Sequence, residues 1–182
     1  FSAAVFLIFA ESAVSAQQIV YADASAFPLY GKVSEDTDGR YERLPSHLKT
    51  VSREPVWYLG RNSAGLYIRF RSNSTSIHLR WESMFNNSMT HMTDTGTKGL
   101  DLYALQDGEW RHVCSAQPQG KKSERAVIRY MDPIEREYML YLSLYDGISS
   151  LEIGVEEGAS LDMPAVDSPS SERPVVMYGS SI

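Results

Sequence analysis

The sequence predicts an all-β domain, an antiparallel β-sandwich or jelly roll, and three observations carry that expectation. Apolar and polar residues alternate with a period of two from Leu66 onward, while stripes at helical spacing are scarce. Asp-Gly pairs and Ser/Asn/Thr clusters punctuate the alternating stretches as turn signals. The 182 residues, 43% hydrophobic and 11% aromatic, suffice for one packed domain with a tail to spare.

The elements follow in chain order. An apolar segment around Val56-Trp57-Tyr58-Leu59 predicts an early strand. In 66–71, Leu66, Ile68 and Phe70 point one way and Arg69 and Arg71 the other. The stretch 77–81 repeats the pattern, with His78 and Arg80 on the polar side. Ser72-Asn73-Ser74-Thr75 reads as a hairpin-type connection between these two strands. Further strands are expected over 100–105, 110–115, 126–130, 138–145 and 151–155. Gln106-Asp107-Gly108-Glu109 turns between two of them, and Asp146-Gly147 turns after Tyr145. Residues 83–98 are polar and rich in Asn, Thr, Met and His, so they read as a long surface loop of the kind that carries function.

A net charge of −6 leaves no Lys/Arg cluster to neutralise a nucleic-acid backbone, and Lys121-Lys122 with Arg125 reads as a solvated loop. The single Cys114 forms no internal disulfide and reads as a buried, inert thiol; with no Cys/His cluster at ligand spacing, neither metal nor other cofactor is expected. Residues 3–10 are apolar but too short to span a bilayer, and Val14-Ser15-Ala16 suits signal-peptidase cleavage before Gln17. Residues 1–16 therefore read as a signal-peptide remnant lacking its Met and basic region, and the protein is expected to be secreted or periplasmic. The sandwich then occupies 17–157. Gly158, Pro164, Pro169 and the serines of 158–173 have linker composition.

Residues 174–182 read as the start of a separate unit. Val175 to Tyr178 reads as a buried strand, and Gly179 permits a tight turn after it. A serine on such a turn, here Ser181, projects its hydroxyl from the C-terminal edge of a sheet, where open α/β folds place chemistry.

Gly99-Leu100-Asp101-Leu102-Tyr103 resembles the Gly-x-Asp-Leu-Tyr signature of a domain found N-terminal to secreted SGNH/GDSL-type esterases. Arg53-Glu54-Pro55-Val56-Trp57, Ser63-Ala64-Gly65-Leu66 and Gly108-Glu109-Trp110 fit the same pattern, and Gly179-Ser180-Ser181-Ile182 resembles the family's first catalytic block. The resemblance implies that Ser181 is the nucleophile of an acyl-serine mechanism, with Gly179 forming the turn. The family usually has Asp where this chain has Ser180, which removes a carboxylate that helps organise the loop. In the family the base is a His in a late Asp-x-x-His pair, and a Gly and an Asn of later blocks complete the oxyanion hole. None of His47, His78, His91 and His112 stands in that arrangement, so these residues alone are expected to be inactive. The resemblance further implies a C-terminal hydrolase domain of the same polypeptide as partner, acting on an ester, with a carbohydrate ester as the expected substrate.

Two further readings concern the sandwich itself. Gly99, Asp101, Leu102 and Tyr103 read as structural: Leu100 and Leu102 face the core, Asp101 and Tyr103 face water or a neighbour, and Asp101 bonds a loop backbone. His91 and Asp94, in the long loop, are candidates to line the entrance of a hydrolase pocket, against the plainer reading of a loop histidine bonded to its own surroundings. The eleven tyrosines and three tryptophans suit an alternative, a stand-alone carbohydrate-binding module, if some form an exposed row. Tyr141 and Tyr145 are expected on one strand face and Tyr138 on the other.

Overall fold

Leu66, Ile68, Phe70, Ile77 and Leu79 are fully buried, and the interior they share separates two antiparallel sheets. The computed structural model describes residues 17–166. The four-stranded sheet orders β1 (Ile19–Asp23), β9 (Ile148–Glu156), β4 (Ile77–Ser83) and β7 (Lys122–Ile128). The five-stranded sheet orders β2 (Leu29–Tyr30), β3 (Tyr67–Ser72), β8 (Arg136–Tyr141), β5 (Leu100–Gln106) and β6 (Glu109–Ala116). The inward positions of both sheets are those the alternation marks: Leu100, Leu102, Tyr138, Leu140, Leu151 and Ile153 are all at 2% exposure or less. Each such side chain contributes about 1.5–3 kcal/mol by leaving water. The Phe70 and Tyr138 rings stack at 5.2 Å across β3 and β8. Asp107 and Gly108 both have positive φ, 54° and 80°, the conformation that a two-residue hairpin between β5 and β6 needs.

Several expectations are corrected. Val56 to Leu59 lies in a helix, α1 (Glu54–Gly60), which starts at Arg53 with Pro55 in its first turn. Proline is pre-organised there, and its missing N–H has no ladder bond to lose. The 72–75 stretch is no hairpin, because β3 and β4 belong to different sheets and the chain arches across the sandwich. The arch is held from β9: the Glu156 carboxylate accepts hydrogen bonds from the Thr75 hydroxyl, the Ser76 hydroxyl at 3.0 Å and the Thr75 N–H at 3.2 Å. The long loop contains a short helix, α2 (Asp94–Lys98). Strand β7 begins at Lys122, so Lys122 and Arg125 belong to a strand and not to a loop; Lys121 and Lys122 pair with Glu82 of the neighbouring β4. Strand β8 stops at Tyr141, which leaves Tyr145 beyond it. The Cys114 thiol is half-buried and donates to the Val127 carbonyl at 3.0 Å; burial, then Asp101, pushes its pKa up.

After β9 the chain does not leave the sandwich at once. Asp162 exchanges two backbone hydrogen bonds with Arg71, and Ser160 exchanges bonds with Asn73 while its carbonyl accepts from the Ser72 hydroxyl. Residues 158–166 therefore continue beside β3 where the short β2 leaves its edge unpaired.

Burial would push the Glu156 carboxyl up, but the hydrogen bonds from Thr75 and Ser76 outweigh it and hold its pKa below the usual glutamate value. A depressed folded-state value stabilises above the unfolded pKa and is lost as pH falls through the folded one. Glu156→Gln should therefore cost about 1–3 kcal/mol near neutral pH by breaking the arch bonds. The difference in urea stability from the parent should shrink as pH is lowered below about 4.3; a gap that widens in acid would refute this.

Candidate functional site

The glycine of the Gly-x-Asp-Leu-Tyr string sits where the end of α2 meets β6. Its N–H donates to the Thr95 carbonyl at 3.0 Å. An added Cβ would overlap that same carbonyl oxygen and lie 2.9 Å from the Ala116 oxygen. Gly99 has φ −75°, so close backbone approach, not a special dihedral, requires glycine here. Leu102 is fully buried in the core. Asp101 and Tyr103 point to the outer side of the five-stranded sheet. Asp101 Oδ1 accepts from the Ser115 hydroxyl and stands 3.9 Å from His112 Nε2, so its partners are β6 side chains and not a loop backbone. The Tyr103 ring meets His112 and Tyr141 edge-on at 5.3 and 5.6 Å.

Residues 19–161, which include this string, match the GxDLY family, described as the N-terminus of SGNH-hydrolase-type esterases. The chain belongs to that family. A solved structure of a GDSL-like lipase from Bacteroides ovatus is 34% identical, with a TM-score of 0.77 over 80% of this chain and 43% of that one. The salicylyl-acyltransferase SsfX3 from a tetracycline biosynthetic pathway is 19% identical, with a TM-score of 0.57 over 83% of this chain and 42% of its own, a likeness of fold. The chain thus spans less than half the length of either structure. No curated protein matches it.

The expected nucleophile region, Gly179, Ser180 and Ser181, lies outside the described residues, as do 1–16. His91 is exposed, and no hydrogen bond or ion pair joins it to Asp94 among the described residues. Asp94 accepts from the Ser88 hydroxyl at 2.8 Å and pairs with Lys98 at 3.2 Å. Those bonds, Ser88 first, hold its pKa below the ordinary aspartate value. The structure does not bring His91 and Asp94 together, and Asp94 is used within its own loop.

The groups that organise this loop are ones the sequence did not mark as functional. Asp146, read only as a turn residue, is fully buried; its two carboxylate oxygens accept the Phe85 N–H at 2.9 Å and the Asn87 N–H at 2.6 Å. Asn87 in turn donates to the Tyr145 carbonyl and accepts from the Tyr58 hydroxyl of α1, each within 2.9 Å. Lys98 is 3% exposed and donates to Asn86 Oδ1 at 2.7 Å. One end of the sandwich is thereby built from α1, the 83–98 loop and the β8–β9 connection. The only sequence signal was an aspartate at a turn with no strand partner for its carboxylate.

The outer side of the five-stranded sheet is the second unread feature. Tyr30, Tyr67, Tyr141 and Tyr103 form a chain of ring contacts across β2, β3, β8 and β5, with centroids 5.0–5.6 Å apart. Burial pushes the Tyr67 and Tyr141 hydroxyls above the ordinary tyrosine pKa. Arg69, which alternation places opposite the core, is 4% exposed. Its guanidinium lies over the Tyr30 and Trp110 rings at 5.7 and 5.2 Å, stands 4.0 Å from Glu137 and donates to the Val166 carbonyl at 2.8 Å. A shallow hollow of about 320 Å³ opens beside it, lined by Tyr103, Trp110, Met139, Tyr141 and Leu144 among others.

Gly99→Ala should destabilise the fold by at least about 2 kcal/mol, since backbone atoms and not a flexible side chain block the methyl group; a thermal melt unchanged from the parent would contradict it. Asp146→Asn swaps an acceptor oxygen for a donor facing a backbone N–H. It should cost about 1–3 kcal/mol and speed amide exchange at Phe85 and Asn87 more than in β9. Equal exchange at all sites would mean that the carboxylate does not hold this loop.

Proposed function

We propose that this GxDLY domain is the N-terminal accessory domain of a secreted or periplasmic SGNH-type serine esterase, and that the complete polypeptide removes an acyl group from a carbohydrate ester. The observation that carries this reading is the family match over 19–161, a stretch that precedes Gly179-Ser180-Ser181-Ile182 in the order of an accessory domain followed by a first catalytic block. The 34% identity to a GDSL-like lipase, of which this chain covers 43%, supports the same arrangement.

In this reading Ser181 attacks the ester carbonyl as a histidine from the hydrolase domain takes its proton; the ester C–O bond breaks, the sugar hydroxyl leaves with that proton, and water then cleaves the acyl-serine to release the acid. The Ser181 N–H supplies one oxyanion donor, and later blocks supply the rest. The sandwich makes none of these groups. Its contribution is to hold the hydrolase and shape the approach to it, with the loop carrying His91 beside that approach. The alternative, a free-standing sugar-binding module, needs flat exposed ring faces. The Tyr67 ring is instead flanked by Tyr30 and Tyr141, and the Tyr141 ring by Tyr67 and Tyr103, so the rings spend their faces and edges on one another.

The test is hydrolysis of an acetylated oligosaccharide and of a chromogenic acetate by the full-length polypeptide. Ser181→Ala should lower kcat by about 10⁴-fold or more with folding intact, and residues 17–166 alone should turn over neither substrate. Full turnover in Ser181→Ala would end the reading. His91→Ala should raise KM for the oligosaccharide with little change for the small acetate; unchanged kinetics on both would remove the loop from the substrate path.

A further inference from the structure

Resting on the reading that a hydrolase domain follows in the same polypeptide, we propose that the domain docks on the outer side of the five-stranded sheet, continued past Leu144 onto α1. Arg69 and Glu137 fix its approach by clamping the backbone that leads to it.

The two outer surfaces of the sandwich differ in kind. On the four-stranded sheet, Arg80 pairs with Glu124 at 3.0 Å and lies 3.5 Å from the centre of the Tyr21 ring, and Glu82 pairs with two lysines. Such a surface is satisfied in water. On the five-stranded sheet the outward positions hold tyrosines, Trp110, Met139 at 8% exposure and a nearly buried Arg69–Glu137 pair. A charged pair removed from water in this way belongs under a second layer, not at a free surface.

The exiting chain begins that layer. Glu137 Oε1 accepts the N–H groups of Ala165 and Val166, while Arg69 donates to the Val166 carbonyl at 2.8 Å. Three main-chain groups are thus held by one ion pair, directly over the outer side of β3 and β8. The pair retains unspent capacity: Arg69 Nε and Glu137 Oε2 are buried with no hydrogen-bond partner among the described residues.

The surface also has an apolar margin on the side away from the clamp. Leu59 is 51% exposed, Leu144 49% and Tyr145 36%, which leaves apolar side chains open at this end. Leu144 lines both the hollow beside Tyr103 and a second hollow against Leu59 and Tyr145, so the two patches are continuous. Seated there, a folded domain would cover the aromatic and apolar area and meet the tyrosine hydroxyls with its own polar groups. A second copy of the sandwich fits less well, because its partner's exiting chain already occupies part of the same surface.

The test is hydroxyl-radical footprinting of the full-length polypeptide with solution scattering. Tyr103, Trp110 and Tyr145 should be labelled about tenfold more slowly than Tyr130, which is 94% exposed and away from the proposed surface. Leu144→Asp alters an exposed side chain, so the sandwich should melt as before while the radius of gyration rises and labelling at Tyr103 and Trp110 recovers. Arg69→Ala should likewise raise the radius of gyration and speed proteolysis after residue 166, and it should also lower the melting temperature of the sandwich, because the buried Glu137 carboxylate loses its partner. Labelling of the three residues as fast as Tyr130 in the parent polypeptide would overturn the proposal, as would protection that appears only with added oligosaccharide or only in a dimer. The Ser181→Ala variant should give the parent footprint, so an open surface on an active esterase defeats this inference and leaves the enzyme reading standing.

Discussion

Strand β3 must bury both of its sides, and much of the molecule is arranged around that requirement. Inward, Ile68 and Phe70 fill the core at 0% exposure; outward, Arg69 is 4% exposed. A guanidinium taken out of water costs several kcal/mol unless its charge and donors are answered. The answer here is composite: the Glu137 carboxylate, the Val166 carbonyl, and the Tyr30 and Trp110 rings. Each partner arrives from a different part of the chain. The placement of β2, β6, β8 and residues 165–166 is therefore coupled through one side chain, and removing any partner leaves the others around an under-compensated charge.

The family string makes a second junction of the same kind, and its four defining residues serve different ends. Gly99 lets α2 lie against β6 with no side chain between them. Leu102 belongs to the core, Asp101 ties β5 to β6 through Ser115, and Tyr103 extends the ring contacts from Tyr141 to His112. A substitution at one of these positions disturbs a helix end, a core layer or an outer surface, so the string reads as several constraints that coincide at one strand.

Much of the sandwich was legible because period-two alternation is a direct image of inside and outside. It placed Leu66, Ile77, Leu100 and Leu151 correctly. It placed Arg69 opposite the core as well, but a single strand carries no mark of a second covering layer, so the 4% exposure of that side chain was not legible. The 54–60 stretch was misread for a different reason. Four apolar residues in a row suit a strand or a helix, and Pro55 with the lack of alternation was the cue for a helix. The 72–75 arch was misread because turn residues mark a reversal and say nothing about whether the strands they join pair or part. Asp146 escaped notice because an aspartate before glycine is an ordinary turn residue until its carboxylate is found capping two amides of a loop sixty residues away in sequence.

The clamp on the exiting chain has a consequence for how such domains combine. Arg69 and Glu137 hydrogen-bond main-chain atoms of residues 165 and 166, so these bonds specify the path of the segment without reading its side chains. The bridge between Arg71 and Asp162 is likewise backbone to backbone. A connection held this way tolerates free variation in linker sequence while keeping direction, since N–H and C=O groups are the same in every residue except proline. Proline is excluded at 165 and 166, where the N–H is used, and Pro164 stands just before them. Its ring fixes φ at the position leading into the clamp, which lowers the entropy lost when the two following N–H groups are presented to one carboxylate. Direction is thus encoded in geometry common to all residues, and rigidity in the one residue that lacks the donor.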